Sequence, residues 1–430
     1  MALSELSSSL WSAITPPIPA IASLQQDMQF DCVIIGGGFT GLNAAWHLMK
    51  RGVHVCVLDA YEPGWGASGR NGGMAVLRYK HGWSTLARKF GNEQTKLLYD
   101  LVFQAVAGLE ENVQELGLDG GFKRYGHITA AYTQGNMQTL EEDVQWLAAQ
   151  KGDREPLLLS QHAMRDAVGT MSYQGGYLDK RAGGVNPLAY AREFAQALQQ
   201  RGLALFAHTP VEHITRQDNY HCLHTPGGTV RARHMLVATN AYTSMHAMPA
   251  GLAERIIPVT TSVIATQRIP DDIYASILPG EELVTDMRHL VNYFRRVPGN
   301  RVLFGGRGSL TGREKQTIYT ALHRQLHALY PALKEIPVEY HWSGKVAVTL
   351  DDFPHLGGCG ASAYFAMGYG GRGVALTHLL GRMLAERVMG EHKDIGPMGS
   401  NLERIPFHGW RLPAMNVVAS YYRLRDVLKV

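Results

Sequence analysis

The residues of this chain best suited to chemistry lie in three glycine-rich segments. The first, Gly36-Gly37-Gly38-Phe39-Thr40-Gly41, follows the apolar run Phe30–Ile35. It precedes a stretch in which Leu42, Ala45, Trp46 and Met49 recur at helical spacing. A second apolar run, His54–Leu58, then ends at Asp59. Strand, glycine turn, helix and strand in this order predict a parallel, right-handed βαβ unit that binds a dinucleotide. Gly36 permits the tight turn, Gly38 lets the backbone approach a pyrophosphate, and Gly41 with Ala45 lets the helix pack on the strand. The helix N-terminus at Phe39 and Thr40 stabilises the diphosphate. Asp59 accepts hydrogen bonds from a ribose hydroxyl. FAD and NAD share this unit, so the fingerprint alone leaves both open.

The second segment is Gly66-Ala67-Ser68-Gly69-Arg70-Asn71-Gly72-Gly73, too rich in glycine to carry a core. Its peptide N–H groups suit an anionic or electron-rich ring system, with a simple mobile loop as the competing reading. The third, Met367-Gly368-Tyr369-Gly370-Gly371-Arg372-Gly373, links a strand to a helix beginning near Val374. The positive end of that helix suits the negative charge a reduced flavin carries on its pyrimidine side, a demand a nicotinamide does not make. A generic strand-to-helix turn competes with this reading.

The elements that must position these segments follow from periodicity. Helices are expected over Leu97–Leu116, Leu188–Arg201 and Gln316–Tyr330. Strands are expected at Tyr125–Tyr132, Leu203–Ala207, Val211–Ile214, His221–Thr225, Thr229–Arg233 and His234–Ala238. Further strands fall at Ile257–Gln267, Val291–Val297, Val302–Gly305, Val338–His341 and Tyr364–Met367. The expected class is α/β (α+β): a discontinuous Rossmann-like domain into which an antiparallel β-sheet substrate domain is inserted. Residues 1–27 read as an extended arm. Residues 28–90, 155–245 and 345–430 are assigned to the nucleotide domain, and 91–154 and 246–344 to the substrate domain.

At 430 residues, with 45% hydrophobic and 18% charged content, the composition excludes a disordered or collagen-like chain. A net charge of +4 without a long basic run argues against nucleic-acid binding. Cys32, Cys56, Cys222 and Cys359 show neither CxxC nor metal-ligand spacing. Neither HExxH nor a clustered ligand set is found, so no metal is expected. His127 and His355 read as structural histidines. Neither a signal peptide nor a membrane span is expected from the sequence, and reduced cysteines fit a cytoplasmic protein.

The fingerprint, the GASGRNGG loop and the GYGGRG turn combine with Gly183-Gly184-Val185-Asn186-Pro187, Val237-Ala238-Thr239-Asn240-Ala241-Tyr242, Trp342-Ser343-Gly344 and Thr349–Gly357. Together they resemble the FAD-dependent D-amino acid oxidase superfamily, and most closely its gamma-glutamylputrescine oxidase-type branch, over nearly the whole chain. The resemblance implies noncovalent FAD of the glutathione-reductase-like fold and hydride transfer from a carbon bearing nitrogen to flavin N5. The imine then hydrolyses, and dioxygen takes the electrons to give peroxide. It also implies cofactor contacts at Ala60, Met74, Val211, Ala238, Thr239, Gly368, Gly371, Gly373 and Val374, beside those in the three segments. Arg372 and Lys345 are the catalytic candidates, both secondary to the flavin, although a surface lysine is an equal reading of Lys345. Arg78, Tyr293, Arg307 and Trp342 are candidate substrate contacts.

Where relatives that act on small substrates place cations for a carboxylate, this chain aligns Val76, Ala375 and Val346. A longer or γ-glutamylated amine is therefore the expected substrate. A dehydrogenase passing electrons to a quinone or carrier, and a flavin-binding subunit without turnover, are the alternatives.

Overall fold

The computed structural model describes residues 8–245, 248–249, 251–308, 315–399 and 401–428. Strand Met28–Ile35 pairs in parallel with Val55–Leu58 on one side and Gly228–Val237 on the other. The helix Phe39–Met49 connects the first two strands. Ala204–Phe206 extends this parallel sheet at one end and Ala363–Met367 at the other, with His355–Gly360 antiparallel along the outer edge. Every residue of Val55–Leu58 is buried, as expected for a parallel strand covered on both faces. The expected strands Thr229–Arg233 and His234–Ala238 merge into the single strand Gly228–Val237. Its first half also pairs with the hairpin His213–Gln217 and Tyr220–Thr225.

The second sheet runs in the order Val338–Val348, Ile257–Thr266, Arg301–Arg307, Tyr293–Val297, Leu283–Asp286, His127–Ala131, Gly175–Asp179 and Leu157–Ser160. All its pairings are antiparallel except that of Leu283–Asp286 with His127–Ala131. A two-stranded ladder, Met74–Ala75 with Gly183–Gly184, ties the GASGRNGG loop to the entry of helix Pro187–Gln200.

Three further expectations differ from the structure. The arm is not wholly extended: Ser9 caps a short helix, Leu10–Ile14, and Leu10 and Trp11 are buried against Leu188, Val263 and Trp342. An indole in that setting removes much apolar surface from water, which an extended surface strand does not. The strands Leu157–Ser160 and Gly175–Asp179 pair into the second sheet, although this stretch was assigned to the nucleotide domain. Conversely, helix Asn92–Leu116 shares a core with the helix Gly373–Val388 through Leu98, Leu101, Val102, Ala105 and Leu109 against Leu376 and Leu380. Its apolar stripe specifies burial but not the surface it meets.

Candidate active site

A cavity opens at the carboxyl ends of the parallel strands, where Ile35, Leu58 and Ala238 line it. Open α/β sheets bind ligands there. The turn residues Gly36, Gly38, Phe39 and Thr40 form one wall, Asp59 and Ala60 the next, and Thr209 and Val211 the far end. Ala67, Ser68 and Asn71 from the second glycine segment face Gly370, Gly371, Gly373 and Val374 from the third. Thr239 also lines the cavity. Gly41 lies behind the wall: a side chain there would run into the Gly36 carbonyl and meet Ile34 Cγ2 at 3.2 Å, so its part is close helix–strand packing. Gly368, Gly72, Gly73 and Met74, expected as cofactor contacts, are not among the residues that line the cavity.

The donor set fits FAD. Gly36 has φ +108°, and a Cβ on it would lie 2.9 Å from the Ala238 carbonyl oxygen, so only glycine makes this turn. Asp59 is half-buried and holds the turn itself: Oδ2 accepts from the Gly37 N–H at 2.6 Å and Oδ1 from the Tyr61 N–H at 2.9 Å. Burial pushes its carboxyl up to about 6 despite those two donors. Gly38 and Arg372, which precede the two helices facing the cavity, supply no capping side chain of their own, although the Phe39 N–H donates to Ser68 Oγ at 2.9 Å. Thr377 lines the cavity with a buried hydroxyl that has no partner among the described residues. At Gly371 a Cβ would meet nothing within 4 Å, which leaves room for a ring.

The profile of the FAD dependent oxidoreductase (DAO) family matches residues 31–387. The chain belongs to this family. It is 32% identical to the gamma-glutamylputrescine oxidoreductase of Escherichia coli K12, with 100% of both chains covered. It is 28% identical to a probable oxidoreductase of Haemophilus influenzae, over 94% of this chain and 96% of the relative. Among solved structures, glycine oxidase from Geobacillus kaustophilus superposes with a TM-score of 0.74 at 22% identity, covering 88% of this chain and 99% of that one. The protein is thus an FAD-dependent oxidoreductase with the D-amino acid oxidase type of fold, and FAD is its cofactor.

The other expected site residues of this flavoenzyme, with His127, which the sequence reads as structural, separate into two groups. Arg372 sits between cavity-lining Gly371 and Gly373, and its side chain has no hydrogen bond or ion pair among the described residues. Burial, then the neighbouring Arg78, pull its guanidinium down to about 10, so it is charged at neutral pH. Arg78 is buried: Nη2 donates to Asp143 Oδ2 at 2.5 Å, the guanidinium lies 4.6 Å from the Tyr177 ring centroid, and Nη1 has no partner among the described residues. His127 Nε2 lies 2.9 Å from Thr285 Oγ1. Burial, with Arg372 and Arg78 adding to it, holds this imidazole well below its ordinary range and neutral. Lys345 is half-buried beside cavity-lining Val346, its Nζ 5.8 Å from the Tyr242 ring, and burial lowers its pKa.

The second group is structural. Trp342 is fully buried and donates its indole N–H to the Arg70 carbonyl at 2.8 Å, which corrects its expected role as a substrate contact. Arg70 points away from the cavity: Nε donates to Trp65 O at 2.6 Å and Nη1 to Ser343 O at 3.1 Å. Tyr293 packs on Gly72 and Gly305, where a Cβ on either would strike its ring. The side chain of Arg307 lies outside the described residues.

Residues not singled out from the sequence complete the cavity. Tyr61 and Trp65 stack with centroids 3.7 Å apart, and Tyr369 Oη is 2.9 Å from Thr40 Oγ1. Asn240 Oδ1 accepts the Gly368 N–H at 3.0 Å. Tyr369 and Asn240 fall inside quoted motifs and were within reach of a sequence reading. Tyr61, Trp65 and Thr377 carry no such signal.

Proposed function

We propose that this flavoenzyme oxidises an extended amine with an anionic end, γ-glutamylputrescine being the representative substrate. The observation that carries the reading is the pair of guanidiniums Arg78 and Arg372, which have one buried carboxylate, Asp143, between them. The surplus positive charge attracts a carboxylate, and the unpartnered nitrogens offer it charge-assisted hydrogen bonds. Val76 and Ala375 are buried and neutral, and neutral Val346 lines the cavity, so these positions offer no cation to a small amino acid. The full-length likeness to a gamma-glutamylputrescine oxidoreductase supports the same substrate class.

When bound, FAD supplies the hydride acceptor and passes the electrons to dioxygen, giving peroxide, or to another acceptor. The chain's residues orient and screen. Arg372 and Arg78 hold the anionic end, and Lys345 provides a partly desolvated cation for oxygen reduction. Neither Cys nor His lines the cavity among the described residues, which supports noncovalent retention.

Purified protein should be yellow and release FAD on denaturation. Peroxide formation across an amine panel that includes γ-glutamylputrescine, sarcosine and free amino acids tests the substrate class. Turnover confined to sarcosine or amino acids rejects it. Anaerobic reduction followed by stopped-flow reoxidation tells an oxidase from a dehydrogenase.

A further inference from the structure

Four consecutive carbonyls of the second glycine segment are held from outside it. Trp342 Nε1 donates to Arg70 O at 2.8 Å and Trp11 Nε1 to Asn71 O at 2.9 Å. Arg295 Nη1 reaches Gly72 O at 3.4 Å and Gly73 O at 3.2 Å, and the Val185 N–H donates to Gly73 O at 2.8 Å. All three anchoring side chains are buried. They come from distant parts of the chain: Trp11 from the N-terminal helix, Trp342 and Arg295 from two strands of the second sheet.

No cis peptide occurs among the described residues, and in a trans peptide the C=O and the following N–H point in opposite directions. Anchoring the Arg70 and Asn71 carbonyls therefore turns the N–H groups of Asn71 and Gly72 the other way. The next amide, of Gly73, is consumed internally by Asn71 Oδ1 at 2.7 Å. The N–H groups of Asn71 and Gly72 have no partner among the described residues, and Asn71 lines the cavity. Two adjacent N–H groups left without a protein partner, one of them on a residue that lines the cavity, are free to donate to an electron-rich ring. Arg295 adds a buried positive charge with no acidic partner among the described residues.

We propose that Trp11, Trp342 and Arg295 are positioning residues that lock this peptide orientation, so that the Asn71 and Gly72 N–H groups donate to the FAD ring system and favour its negatively charged form. The inference rests on FAD being the bound cofactor. Its consequence is that the N-terminal helix and the second sheet, neither of which lines the phosphate end, tune the flavin.

Sulfite binding reports the ring's tolerance of negative charge. Trp11→Phe and Trp342→Phe keep the aromatic packing but remove the donor. In the FAD-loaded enzyme each should raise the sulfite dissociation constant by about tenfold, the effect of losing one hydrogen bond to a charged group. The midpoint potential should fall with it. Trp83→Phe is the control, because the Trp83 indole N–H is buried without a partner, and it should leave both readouts unchanged. Folded, FAD-loaded Trp11→Phe and Trp342→Phe enzymes with unaltered sulfite affinity overturn the proposal.

If the variants do not fold, hydrogen exchange in the unaltered protein decides. The Asn71 and Gly72 amides should exchange quickly without FAD and be protected with it. Equal rates in an FAD-loaded protein overturn this inference alone, whereas a protein that binds no FAD overturns the cofactor reading as well.

Discussion

Asp59 Oδ2 accepts the Gly37 N–H at 2.6 Å, so the acid that ends the second strand also braces the glycine turn that opens the first helix. We expect the same half-buried carboxyl, raised to about 6, to accept a ribose hydroxyl. It is ionised above about 6 and loses its charge below. If its charged form holds the ribose, the FAD dissociation constant rises as pH falls through about 6, approaching about tenfold per pH unit below that point. Fluorescence titration of the apoprotein with FAD from pH 5 to 8 measures this. Asp59→Asn should bind more weakly at neutral pH and flatten the profile; a flat profile in the unaltered protein would place the ribose elsewhere.

Thr377 gives a prediction of two opposite signs. Its buried, unpartnered hydroxyl costs the apoprotein stability, while in the loaded enzyme it has a ligand to bond. Thr377→Val should therefore raise the Tm of the apoprotein and weaken FAD binding by about 1 kcal/mol, roughly fivefold. Thermal scans with and without FAD read both effects. Movement in the same direction would show that the hydroxyl faces packing and not the cofactor.

How much of this was legible beforehand varies with the range of the interaction. The turn Gly36–Gly41 and the strand end at Asp59 could be read because turn, helix and strand are encoded within one βαβ unit, where local spacing decides geometry. Arg295 could not. It sits in the strand Tyr293–Val297, and only the folding of Gly72 and Gly73 against that strand makes it an anchor. Trp342, within the Trp342-Ser343-Gly344 motif, reads from the sequence as a substrate contact. Its indole is instead spent on the Arg70 carbonyl, a partner 272 residues away. The helix Gln134–Lys151 is absent from the expected elements although Met137, Leu140, Val144 and Leu147 recur at helical spacing and Thr133 and Asn136 form a capping box at its start.

Arg372 separates substrate recognition from fold. Its side chain has no protein partner among the described residues, so Arg372→Met leaves no buried acid uncompensated. The variant should lose about 10- to 100-fold in kcat/KM for γ-glutamylputrescine, chiefly through KM, the worth of a charge-assisted hydrogen bond. An amine of similar length without the carboxylate should be affected little. Arg78→Met is the poorer test, because Asp143 would be left buried and unpaired, a loss of about 3–5 kcal/mol in stability. Equal losses on both amines would remove Arg372 from recognition of the anionic end.

Lys345 bears on the electron acceptor. Burial lowers its pKa, and it lies beside Val346 in the cavity wall and over the Tyr242 ring, which suits a cation that assists oxygen reduction. In that role it acts after the amine has been oxidised. Lys345→Met should therefore slow stopped-flow reoxidation by dioxygen on the order of tenfold or more while leaving the anaerobic rate of flavin reduction by substrate within about twofold. Loss of both half-reactions together would place Lys345 in the general architecture of the site. Slow reoxidation in the unaltered enzyme as well, relieved by an artificial quinone, would make this chain a dehydrogenase, and the lysine would then have no oxygen to serve.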